Sequence, residues 1–290
     1  MKNRLINVLM TIVFIVGLCL ASYPIVSRVV NLREANKAVL DFDQGKKEIP
    51  DAEIARRIKL AEAYNYSIGS HDGSLDFKDP FSKKEMEEGR KEYAKMLEVH
   101  EKIGYIKIPS IKLELPIYAG TSEVVLQKAA GHLEGTSLPV GGIDTHTVIT
   151  AHRGLPTARL FTDLDKVERG DKFYIHNIQK TLAYQVDSIK VIKPEEINYL
   201  QIIKGHDCAT LLTCTPYMVN SHRLLVRGHR VPYTEKDREE ESKRMNTLNL
   251  FELAVIIIVL VLLLLLVVLL RKKKKKKGRQ IDEDNTVIEE

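Results

Sequence analysis

Both ends of the chain are apolar, and basic residues stand just outside each apolar run. Residues 5–27 carry no charge and follow Lys2 and Arg4; residues 253–270, "LAVIIIVLVLLLLLVVLL", are eighteen consecutive apolar positions followed at once by Arg271 and six lysines. Each run is close to the length that crosses a hydrocarbon core of about 30 Å. A buried core helix is the alternative for the second run, but the lysine cluster that ends it marks a membrane boundary. For the first run, Ala21 and Ser22 leave a cleaved signal peptide open. Cys19 does not fit a lipid-anchor cysteine, because Leu18 before it is not small.

Positive flanks stay on the cytoplasmic side. The expectation is therefore two spans, both termini cytoplasmic and an extracytoplasmic segment between them. The expected divisions are an N-terminal transmembrane segment or signal anchor (1–27), a helical region (28–101), a β-rich domain (102–233), a charged stalk (234–249), a second transmembrane helix (250–270) and a cytoplasmic tail (271–290). Residues 1–4 carry +2 and residues 271–290 a net +3, which accounts for the whole chain's +5 and leaves the rest formally neutral. The basic balance thus points to membrane anchoring and excludes a nucleic-acid-binding surface.

Inside the anchors the pattern changes once. Helical, polar stretches come first: "NLREANKAVLDFD", "PDAEIARRIKLAEAYN" and "SKKEMEEGRKEYAKMLEVHEK". Ser82 and Glu85 have capping-box spacing for the third of these, and the "SIGSHDGSLDFKDPF" before it reads as an exposed loop. From Ile103 on, short β-branched and aromatic runs alternate with Gly, Pro, Asn and Asp: "GYIKIPSIKLELPIY", "THTVITAH", "DKFYIHN", "KTLAYQVDSIKVIKP", "CATLLTC" and "HRLLVRGHRV". Only "SEVVLQKAAGH" and "TARLFTDLD" read as short helices among them. So many strands in so short a segment predict a mostly β domain closed into a barrel.

The outer segment holds two cysteines, Cys208 and Cys214. Extracytoplasmic domains tend to use cysteine for disulfides. If both lie on one strand, however, six residues hold them roughly 20 Å apart, far beyond the roughly 7 Å that a disulfide spans. A buried filler thiol is the plain alternative, and catalysis is the other. If "CATLLTC" and "HRLLVRG" form an antiparallel hairpin through "TPYMVNS", its centre falls between Met218 and Val219, and Cys214 faces Arg223. Arg227 would then lie about 13 Å further along. A cation beside a thiol lowers its pKa and can hold a substrate oxygen; an ordinary exposed strand arginine is the competing reading. For an acid or base, His152 stands out among nine histidines at the end of "THTVITAH", before the turn "RGLP". His146 shares its facing at the opposite end of that strand.

These residues resemble the sortase family, and within it the pilus-assembling class C enzymes. "TLLTC" (Thr210–Cys214) fits the family's TLxTC, with Arg223 nine residues on, and "HLEGTSLPVGG" and "TAHRGLPTARLFTDLD" are similar to class C segments. The resemblance covers about residues 30–235, and the two-anchor layout fits it. It implies a sortase-type β-barrel and a cysteine transpeptidase that cleaves an LPxTG-like sorting signal between Thr and Gly. Cys214 would be the nucleophile, His152 the general acid and base, and Arg223 the group holding the substrate carbonyl or oxyanion. The implied partners are secreted LPxTG-bearing pilins or surface proteins, with a pilin lysine or a cell-wall peptide as amine acceptor. The chemistry needs no cofactor, and no cluster has metal-ligand spacing. The resemblance also implies a lid over the site at Asp79, Pro80 and Phe81, although Phe81 and Met86 also suit a hydrophobic staple at the helix start. The alternatives are a housekeeping cell-wall sortase, a tethered cysteine peptidase and a non-catalytic surface barrel.

Overall fold

The computed structural model describes residues 2–69 and 92–242, with isolated positions between 254 and 262. The chain divides into two units: residues 28–247, and the apolar ends 1–27 with 248–290. Helix α1 (Lys2–Gly45) begins in the first apolar run. By length and composition it supplies the one helix, among the described residues, able to cross a membrane. The second run, 253–270, falls outside the described residues apart from those isolated positions, as do the expected capping box at Ser82 and the lid residues Asp79, Pro80 and Phe81.

Within residues 28–247, eight strands close into a barrel in the order β1-β2-β3-β4-β7-β8-β6-β5. The strands are β1 (Lys102–Ile108), β2 (Leu113–Ala119), β3 (Ala130–His132), β4 (Thr145–Thr150), β5 (Lys172–His176), β6 (Thr181–Ile192), β7 (Asp207–Thr215) and β8 (His222–Val231). Pairing is antiparallel except at β2–β3 and β4–β7. Alternation sorts the side chains. Ile149, Ala209, Leu211, Leu224 and Val226 belong to the main core. Val148, Leu212 and Leu225, of opposite parity, form a second cluster with Leu133, Ile192 and Leu200 on the other face of the same strands. The barrel wall is therefore buried on both faces where β4, β7 and β8 lie side by side.

The last eighteen residues of α1 and helix α2 (Asp51–Gly69) continue the main core: Val39, Phe42, Ile58 and Ala61 are buried in it. Phe42 meets Tyr105 of β1 edge-on, with ring centroids 5.9 Å apart. The third expected helix is described only from Glu92, where it forms a 3-10 turn to Met96. "SEVVLQKAAGH" is helical only in α3 (Glu123–Leu126), and its "AGH" is strand β3. Gly131 makes that strand possible, because a Cβ there would lie 2.3 Å from the Gly120 carbonyl oxygen on its parallel neighbour. "TARLFTDLD" is a series of turns ending in a 3-10 turn at Leu164–Lys166. Both stretches have helical spacing but are too short to hold a helix against tertiary pairing. The charged stretch after Tyr233 starts as α4 (Glu235–Ser242), in which Asp237 and Glu241 are buried.

Candidate active site

Strand β7 carries Cys208 and Cys214, and neither is in a disulfide. Burial pushes the Cys208 thiol up to about 11, so it is protonated at neutral pH. Cys214 lies at the other end, one residue before the strand stops, and is paired directly with Arg223 of β8. The hairpin register is the one expected from its parity. Arg223 is not an ordinary surface arginine: it is buried, and its Nη1 donates to the Asn220 and His222 carbonyls at 3.0 and 3.1 Å. Arg227 pairs instead with Thr210 and binds Asp187 through Nε at 2.9 Å.

His152 reaches the same end of the barrel by a different route. Strands β4 and β7 run parallel with Thr150 beside Leu212. Continuing that register by two residues sets His152 beside Cys214. The backbone supports the continuation, since Ala151 N–H donates to the Leu212 carbonyl at 3.2 Å. Burial lowers the pKa of His152, opposed in part by Glu123 of α3, whose Oε2 lies 4.0 Å from Nε2. The imidazole is thus biased toward its neutral form, suited to exchanging a proton near neutral pH. Gly154, two residues on, has φ +92°, and a Cβ there would press on Met218 and Tyr217 of the β7–β8 loop. The "HRG" turn therefore needs its glycine.

His146, four residues before the end of β4, is committed elsewhere. The Gln201 carbonyl can only accept, so Nδ1 donates to it at 2.8 Å and Nε2 accepts from Thr210 Oγ1 at 2.7 Å. Burial lowers its pKa as well. His132 is wholly buried between Tyr93, Thr136 and Ser137, with a pKa lowered to about 4 by that burial. Both are structural histidines by these contacts.

The sortase-domain family matches residues 106–231, from the last residues of β1 to the end of β8. A pilus-related sortase C of Group B Streptococcus is 57% identical, covering 67% of this chain and 97% of that one with a TM-score of 0.63. The chain belongs to the sortase family. A sortase C of Streptococcus pneumoniae whose crystal structure bears on pilin substrate specificity is 53% identical over 68% of this chain and 98% of its own, with a TM-score of 0.63. Sortase A of Bacillus anthracis is 24% identical over 234 residues, 95% of that protein. Sortases are transpeptidases, and this chain is one.

Sequence reading had not singled out the groups around the sortase site. Leu200, in the β6–β7 connection, packs on the outer face of the barrel wall together with Leu212 and Leu225. Glu123 sits in the first turn of α3. The two threonines that flank Cys214 were legible in "TLLTCT", but nothing in their spacing announced a contact with "AHR".

Proposed function

We propose that this sortase is a membrane-anchored, extracytoplasmic class C enzyme that polymerises pilins. The Cys214 thiolate attacks the Thr–Gly carbonyl of an LPxTG-like sorting signal, the Gly amine leaves, and a thioester acyl-enzyme remains. A lysine amine of a second pilin attacks the thioester and forms an isopeptide bond, which returns the thiol. His152 takes the proton of the Cys214 thiol, gives it to the departing amine, then takes one from the incoming amine and returns it to the sulfur. Arg223 holds the carbonyl oxygen as it gains charge. The observation that carries this reading is the direct pairing of Cys214 with Arg223, in a chain 57% identical to a pilus-related sortase C.

Two spans with both termini in the cytoplasm put residues 28–249 outside, where pilins arrive after secretion. The apolar start of α1 and the basic run from Arg271 support that layout. The resemblance to class C enzymes further implies a lid at Asp79, Pro80 and Phe81, in which the Phe81 ring would cover Cys214 and Asp79 would pair with a basic group such as Arg223. Such a lid would regulate access to Cys214. Its test is the alkylation rate of Cys214, which should rise in an Asp79→Ala, Phe81→Ala double variant.

The whole reading is tested by incubating the full chain in detergent with an LPxTG peptide and a lysine-bearing pilin peptide. Mass spectrometry should find the Thr carbonyl joined to the lysine side chain, and Cys214→Ala should abolish that product. Hydrolysis alone would indicate a peptidase, and transfer only to a cell-wall peptide would indicate a wall-anchoring enzyme.

A further inference from the structure

His152 lies beyond the last β4 ladder residue, in irregular chain running from Ala151 to Leu160. Past the single Ala151 N–H to Leu212 carbonyl bond, ladder hydrogen bonds therefore do not fix its position. Two side-chain ties do. Thr213 Oγ1 donates to the Ala151 carbonyl at 2.7 Å, and Arg153 Nη1 donates to Thr215 Oγ1 at 3.0 Å. The residues on either side of Cys214 thus hold the residues on either side of His152. Arg153 is itself held by two more bonds, from Nε to the Thr162 carbonyl at 3.1 Å and from Nη2 to Asp165 Oδ2 at 2.5 Å. Its side chain is 8% exposed, although Asp165 is 46% exposed. The loop closes behind the histidine through Phe161 N–H, which donates to the His152 carbonyl at 3.1 Å.

We propose that Arg153, Thr213 and Thr215 are positioning residues, a double clamp between β4 and β7 that sets the distance from His152 to Cys214. The inference rests on Cys214 and His152 being the reacting pair. The guanidinium is a suitable clamp because its planar fork of donors engages three acceptors at once, which an ammonium on a flexible stem does not reproduce. The competing account makes Arg153 a cation that merely favours the thiolate. The two differ in what a lysine can replace.

The experiment measures kcat and KM for peptide transfer by the full chain in detergent, with melting temperature alongside. Thr215→Val preserves shape at a strand end but accepts no hydrogen bond. It should lower kcat roughly tenfold or more, as expected for a misplaced proton-transfer group, with KM and melting temperature little changed. Thr215→Ser, which restores the acceptor, should recover most of that loss. Arg153→Lys should fall as far as Thr215→Val, and the double variant should fall no further than either single, because both break one contact.

Thr215→Val within about twofold of the parent kcat would overturn the clamp. So would an active Arg153→Lys, independent losses in the double variant, or failure of serine to recover what valine loses. Should Arg153→Lys fail to fold, the Thr215 pair decides alone. Transfer by Cys214→Ala would remove the catalytic reading itself, whereas an inactive Cys214→Ala beside a fully active Thr215→Val removes only the clamp.

Discussion

Arginine 223 and Arg227 lie on the same face of β8, four residues apart, and the same substitution should separate them. Arg223 faces Cys214 across a direct pair, which sets their Cβ atoms about 5 Å apart. At an effective dielectric of about 20, a thiolate and a cation roughly 6 Å apart attract by about 3 kcal/mol. Arg223→Lys keeps most of that attraction. What it loses is the oriented fork that the Asn220 and His222 carbonyls hold in place, and with it the donor that the proposed mechanism directs at the developing oxyanion. That loss is worth roughly 10²- to 10³-fold in rate. Arg227 lies about 13 Å away along the strand and is engaged by Asp187, with both side chains about one-third exposed. An ion pair of that exposure contributes about 0.2–1 kcal/mol to stability and nothing to the chemistry. The assay is kcat/KM for amine transfer, measured for both lysine variants. Arg223→Lys should lose at least about 10²-fold and Arg227→Lys should stay close to the parent. Equal damage from the two, or a nearly intact Arg223→Lys, would refute the assignment drawn from the register.

Three further outcomes follow from burial and hydrogen bonding. Iodoacetamide at pH 7.5 should modify Cys214 well before Cys208, because a thiol held near 11 is almost wholly protonated there; peptide mapping with equal labelling of the two would contradict this. Asp237→Ala should remove the acceptor shared by Lys172, Tyr174 and Thr234, at 2.8, 2.9 and 2.7 Å. The cost is about 2–4 kcal/mol for a broken cap and a buried phenol left without a partner, and a melting point lowered by less than a few degrees would show that α4 is not tied down this way. His132 contributes stability fully present above its unfolded pKa near 6.5 and lost as pH falls toward 4, since the unfolded chain takes up the proton first. Urea midpoints of the parent should therefore fall between pH 7.5 and 4.5 more than those of His132→Gln; parallel declines would exclude that histidine as the cause.

The strands were legible because alternation and β-branched runs mark them, and the Cys214–Arg223 pair because the hairpin's two arms fix one register by parity. Strand β3 was not. It has three residues, and "AAGH" continues a helical spacing until the Gly120–Gly131 approach forces it into the sheet. The charged stretch after Tyr233 was read from composition as a stalk, and Glu235–Ser242 within it form a capped helix. Thr234 and Asp237 close the cap through Thr234 N–H and Oγ1. Glu241 meets His176 at 2.7 Å and Tyr233 at 2.5 Å, partners that are 65 and 8 residues away. Distant partners of that kind leave no local mark. His152 is an intermediate case: its place at a strand end could be read, but its nearness to Cys214 depends on a parallel pairing 62 residues apart.

That parallel pairing explains why the site lies where it does. In a parallel pair the two strands end at the same edge of the sheet, so the last residues of β4 and β7 come together without a loop having to reach across. An antiparallel neighbour begins at that same edge, which brings Arg223 at the start of β8 beside Cys214 at the end of β7. Cys214 of β7 and Arg223 of β8 thus share one face of the wall with His152, which continues the register of β4 just past its end. Parity decides which face. Residues 210, 212 and 214 share it with 225 and 223, and Leu212 and Leu225 on it are packed under Leu200 and Leu133. The main core fixes the wall from inside, and this second cluster fixes it from outside. A slip of one residue in β7 would exchange Cys214 for Thr213 on that face and bury the thiol in the barrel. Such a slip would also move Leu211 out of the main core and Leu212 out of the second cluster. The same packing that stabilises the barrel therefore holds the thiol on the face that Arg223 shares and to which the β4 register brings His152.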